Sequence, residues 1–71
     1  MYTIYKVKEK ELIQYIEGWS TGLLLDNRYL LYSYNKDKHI YVGIDNTTDN
    51  CWVEEFKNEK DCLKWLKSCF N

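Results

Sequence analysis

The chain has 71 residues, 45% of them hydrophobic and 17% aromatic, with ten basic against eleven acidic side chains and a formal charge of -1. One small domain over residues 1–71 is expected: the length is too short for a multi-domain enzyme and the apolar content too high for a solvated, disordered chain. Near-neutral charge excludes a global attraction to a phosphate backbone, and a domain this small must pack a dense core or complete one with a partner.

Residues 2–7 alternate weakly and contain β-formers, which predicts a first strand. Residues 8–17 hold Leu12, Ile13, Tyr15 and Ile16 in a short helical pattern that Gly18 is expected to end. Leu23, Leu24 and Leu25, the turn-like Asp26, Asn27 and Arg28, and then residues 29–34 suggest a hairpin. Polar loops at 35–38 and 46–49 separate residues 29–34, 39–45 and 50–55, so an antiparallel meander is expected there. In the last element Asn58 is placed to cap, Asp61 falls in the first turn, and Cys62, Leu63, Leu66, Cys69 and Phe70 recur at helical spacing. The expected fold class is α+β: a small antiparallel β-meander of three to five strands with a short N-terminal helix and a C-terminal amphipathic helix.

If each loop closes a symmetric hairpin, Ser33 faces Ile40, Leu31 faces Val42, Ile44 faces Cys51 and Val42 faces Val53. The opposite face then carries Leu30, Tyr32, Tyr34, Tyr41, Gly43, Trp52 and Glu54, with Trp52 lying across the gap that Gly43 leaves. Cys51 is expected to face the helix that carries Cys62 and Cys69. Both sheet faces are apolar, and the C-terminal helix covers only one. Three covers for the other remain open: the N-terminal helix, a second copy or a foreign protein, and unpaired nucleic-acid bases. Bases are the poorest fit, because Arg28 is the sole arginine and only Lys36 and Lys38 lie close to the rings. Tyr32, Tyr34, Tyr41 and Trp52 are the candidate protein-binding anchors. Glu54 and Glu55, within a stretch (residues 45–61) that holds six acids against Lys57 and Lys60, are candidates for steering or pairing with basic groups.

No catalytic residue, metal site or cofactor is expected, and the chain is read as a non-enzymatic protein. Cys62 and Cys69 stand seven helical positions apart, about 10 Å along the axis, too far to share one tetrahedral ion with His39. Residues 45–50 open like a calcium loop but lack its glycine and closing glutamate, and are read as a turn. Glu54 and Glu55 are adjacent on a strand, which sends their carboxylates to opposite faces. Gly18, Gly22 and Gly43 have no phosphate-loop spacing. The start lacks a long apolar stretch and Leu23 to Leu25 are too few to span a bilayer, so no membrane association and a cytoplasmic setting with reduced cysteines are expected.

Phe, Tyr, Met, Ile, Asn and Lys are abundant while Ala and Pro are absent, the usage of an AT-rich genome. The runs YVGIDNTT (41–48), CWVEEF (51–56) and CLKWL (62–66) resemble a pattern in short phage and plasmid proteins of low-GC Gram-positive bacteria. That resemblance covers the C-terminal half and carries no catalytic motif. It implies a small protein that binds, and inhibits or modulates, a host protein such as a defence nuclease in the manner of anti-CRISPR inhibitors. A single-strand nucleic-acid binder and a self-associating dimer are the alternative readings.

Overall fold

The computed structural model describes residues 3–21, 29–48 and 50–68. In chain order they form β1 (Ile4–Lys6), α1 (Glu9–Thr21), β2 (Leu30–Asn35), β3 (Ile40–Asp45), β4 (Trp52–Phe56) and α2 (Glu59–Ser68). The α+β class holds, with four strands in the order β1-β2-β3-β4. The meander β2-β3-β4 is antiparallel, whereas β1 runs parallel to β2, with Ile4 beside Leu30 and Lys6 beside Tyr32. Neighbouring parallel strands need a long crossover, and α1 supplies it. The hairpin expected between Leu23, Leu24, Leu25 and β2 lies partly outside the described residues; the partner found for β2 on that side is β1.

Helix α1 starts where the Lys8 amide donates to Glu11 Oε1 at 3.3 Å, half of a capping box. It does not end at Gly18. Trp19 continues the half-buried stripe, and the Thr21 hydroxyl donates back to the Glu17 carbonyl at 2.9 Å. Packing of that last turn offsets the glycine penalty of about 1 kcal/mol. At α2, Asn58 caps as expected, its Oδ1 accepting the Asp61 amide at 2.8 Å.

The two helices lie on opposite faces of the sheet. Cys62 and Leu66 of α2 pack on Leu30 and Tyr32, while Leu12 of α1 packs on Leu31 and Ile44. The faces are exchanged relative to expectation: the C-terminal helix lies on the aromatic face of Leu30, Tyr32 and Tyr41, and the N-terminal helix covers the face of Leu31, Val42 and Ile44. Leu30, Ile44 and Leu66 are fully buried, each side chain contributing about 1.5–3 kcal/mol by leaving water. Cys51 belongs to the α1 cluster and Cys62 to the α2 cluster, so Cys51 does not face α2 as expected. Among the described residues, no helix is long and apolar enough to cross a membrane.

Register is where expectation and structure part. Ser33 faces Val42 and Leu31 faces Ile44, while Ile44 faces Val53 and Asp45 faces Trp52. Both hairpins are shifted by two residues, which keeps every side chain on its expected face. The cause is local: His39 and Cys51 take positive φ angles of 55° and 49°, which places them in turns rather than strands. Glu54, not Trp52, is therefore opposite Gly43. The ring that fills the gap at Gly43 is Trp65 of α2: a Cβ there would sit 3.2 Å from Trp65 Cζ3 and 3.2 Å from Cys62 Sγ.

Because that Cβ would push on a packed helix, Gly43→Ala is expected to destabilise the fold by about 1 kcal/mol, the low end of overpacking costs, and Gly43→Val by more. Urea unfolding of the two variants checks the order.

Candidate functional site

Strand β4 closes the sheet on one side, and the pleat sends its residues alternately to the two faces. Trp52, Glu54 and Phe56 point to the α2 face, Val53 and Glu55 to the α1 face. Trp52 stays 60% exposed and Val53 42%, so each face of the strand offers an apolar side chain that neither helix covers. Trp52 Nε1 donates to Glu54 Oε1 at 2.9 Å, which holds the indole along its own strand. The one ion pair among the described residues is Lys6 with Glu59 at 3.1 Å, so no described cation pairs with Glu54 or Glu55. The five residues of β4 include no proline and no lysine, the usual protections of a sheet edge.

The six residues expected to form one binding patch are divided by α2. Tyr32 is buried under that helix, where its hydroxyl donates to Glu59 Oε2 at 2.9 Å. Lys6 Nζ reaches the same oxygen and stands 5.9 Å from the Tyr32 ring centre. Tyr32 thus fastens α2 to β1 and β2 and is not a surface anchor. Burial, then the Glu59 carboxylate, push its phenol up to about 12. In return the Tyr32 hydroxyl, then Lys6, hold Glu59 below the usual carboxylate range.

Tyr34 and half-buried Tyr41 pack together near the β2–β3 turn, ring centres 4.9 Å apart. The Tyr34 hydroxyl lies 3.3 Å from His39 Nδ1 in hydrogen-bond contact. Lys36 and Lys38 are exposed in the same turn. Tyr41 faces Phe56 and Asp45 faces Trp52, which puts the tyrosine pair and the indole at opposite ends of β4, about 13 Å apart at ordinary strand rise. Trp52 with Glu54, and Tyr34 with Tyr41, are therefore two separate pairs, while Glu55 lies on the other face beside Val53.

The polar residues that follow β3 bond to their neighbours, Asn50 Nδ2 donating to the Thr48 hydroxyl at 3.0 Å. Asp45 Oδ1 accepts the Thr47 amide at 2.9 Å and the Thr47 hydroxyl at 2.7 Å, as an Asx turn does. No group of three or more His, Cys, Asp and Glu gathers among the described residues. Burial raises the Cys51 thiol; burial, then Glu59, push Cys62 up to about 11. Sequence reasoning did not single out Val53 as exposed, nor Trp65 as the partner of Gly43. The spacing of Cys62, Trp65 and Leu66 on one helical face was the available signal for Trp65.

No protein-family model, curated protein or solved structure matches this chain.

Trp52→Ala is expected to change stability by no more than about 0.5 kcal/mol, as exposed positions do, and Leu66→Ala to cost about 2–5 kcal/mol; denaturant unfolding of both separates surface from core. A second expectation concerns pH. An unfolded tyrosine ionises at 10.0 and folded Tyr32 at about 12, so the contribution of Tyr32 is complete below pH 10 and is lost as pH rises towards 12. Ultraviolet titration should show a phenol ionising at about 12 that Tyr32→Phe removes, while the raised Tyr15 phenol stays.

Proposed function

We propose that this chain is a small non-enzymatic interaction domain that takes an extended, lysine- or arginine-bearing segment of a partner protein alongside β4. The observation that carries this reading is the state of that strand: last in the sheet, with Trp52 and Val53 exposed on opposite faces and Glu54 and Glu55 in no ion pair among the described residues. A segment added to a free edge gains main-chain hydrogen bonds, and alternate side chains supply the selectivity. Here a basic residue on either face would meet Glu54 or Glu55, and an aliphatic or aromatic residue would meet Trp52.

A second copy is a poorer occupant. Antiparallel pairing of the whole strand with itself puts Glu54 opposite Glu54, and directly opposed like charges are destabilising. Single-stranded nucleic acid is poorer still at this edge, because both glutamates repel phosphate. The resemblance of residues 41–66 to short phage and plasmid proteins supports a bacterial host protein as partner. A nuclease with a basic nucleic-acid channel would suit the two acids, and occupying that channel would inhibit it.

Affinity capture from a low-GC Gram-positive lysate tests the reading when wild type is compared with Trp52→Ser and with the paired Glu54→Lys, Glu55→Lys variant. The expected result is a captured protein that both variants lose while circular dichroism shows them folded. Capture indifferent to both variants, or no protein whose capture depends on Trp52, would overturn it.

A further inference from the structure

On the opposite side of the molecule the crossover unit β1-α1-β2 builds a second feature from three short periodicities. Tyr5 and Val7 are alternate residues at β1, Tyr29 and Leu31 alternate residues at the start of β2, and Glu11 and Tyr15 stand one turn apart on α1. All six line a hollow of about 410 Å³ between the helix and the sheet, within the size range of small-ligand sites. Its floor is aliphatic, from buried Leu31 and half-buried Val7. Its walls are three tyrosine rings. Tyr5 and Tyr29 meet at 89° with centres 5.8 Å apart, and Tyr15 and Tyr29 at 62° with centres 6.1 Å apart. Tyr29 thus packs against both other rings, and the three form one aromatic cluster along the hollow.

The described lining carries charge of one sign. Aromatic faces are negative, and among the described residues that line the hollow Glu11 is the single charged one and none is basic. The Lys8 amide holds Glu11 Oε1 in place, and Glu11 takes part in no ion pair among the described residues. Tyr15 is equally fixed: its oxygen accepts a hydrogen bond from Asn46 Nδ2 at 3.1 Å. By contrast Tyr5 and Tyr29 are 45% and 40% exposed, leaving the hollow open to a ligand.

We propose that this hollow binds a methylated or quaternary ammonium group, with Tyr5, Tyr15 and Tyr29 as its walls and Glu11 as its counter-charge. A methylated ammonium suits it better than a bare one, because the methyl groups contact Leu31 and Val7 while the spread charge meets the rings and loses little hydration on entry. The site is independent of β4 and stands whether or not a protein docks there.

The test is a titration of the full chain followed by nuclear magnetic resonance, with choline as one probe and 3,3-dimethylbutan-1-ol, its uncharged carbon counterpart, as the other. The expected result is a saturable shift of Val7 and Leu31 amides by choline, with Overhauser contacts from its methyl protons to the tyrosine rings, and binding at least about tenfold tighter than that of the alcohol. Tyr5→Leu, at an exposed position, should weaken choline binding at least about fivefold, Tyr5→Phe should keep it, and Glu11→Gln should weaken it about two- to fivefold. A short peptide bearing trimethyl-lysine forms a further arm: binding tighter than choline assigns the site to a modified side chain, and equal or weaker binding assigns it to a free cation. Equal affinity for choline and the alcohol, indifference to Tyr5→Leu, or absence of any saturable shift would overturn the proposal.

Discussion

Buried Asn46 ties three parts of the described structure together through its backbone and its side chain. Its side chain is fully buried, a costly place for an amide unless every polar group is answered. Here they are answered by three different parts of the chain. The backbone amide of Asn46 donates to the Tyr29 carbonyl at 3.0 Å, its Nδ2 donates to the Tyr15 hydroxyl at 3.1 Å, and its Oδ1 accepts the Cys51 amide at 2.7 Å. Helix α1, the entry to β2 and the turn into β4 thus meet at one residue. Loss of that amide would leave buried donors and acceptors unpaired, at about 1–3 kcal/mol for each. The same bonds place two walls of the tyrosine hollow and set the start of the exposed strand. Burial, the first cause of the raised Tyr15 ionisation, and the hydrogen bond from Asn46 are both signs that this phenol is built in.

Around that knot the sheet is covered unevenly. Strand β2 has a strand on each side and a helix on each face, and four of its six residues are buried. Strand β4 has one neighbour and is exposed over four of its five residues. Neither helix accounts for this difference by itself: α2 leans on Gly43 through Trp65, and α1 rests on Leu31 and Ile44. The side chains beyond those contacts, Trp52 and Val53, are left to water or to a partner. A protein of this size has little apolar surface to spare, so leaving an indole and a valine outside is the feature that most calls for a function.

Much of this was legible from periodicity. The alternation of β2, β3 and β4 assigned each side chain to its correct face, and the spacing around Leu12 and Leu66 located both helices. What periodicity could not show were the points where backbone conformation departs from residue preference. His39 and Cys51 adopt left-handed φ angles without being glycine or asparagine, so both turns were placed too early and Trp52 was set beside Gly43. The parallel strand was hidden for a different reason: three consecutive leucines made a hairpin look nearer than a crossover. Tyr32 looked like a surface anchor because its face was known but the helix lying on that face was not. The tyrosine hollow joins residues from three elements, and no window of sequence contains it.

The separation of Cys51 from Cys62 has a last consequence. One thiol lies with α1 and the other with α2, so the sheet stands between them like a partition, and the close approach a disulfide needs is denied. Cys62, buried and resistant to ionisation, is also a poor nucleophile. Oxidants reaching the molecule would find these two sulfurs unable to crosslink with each other.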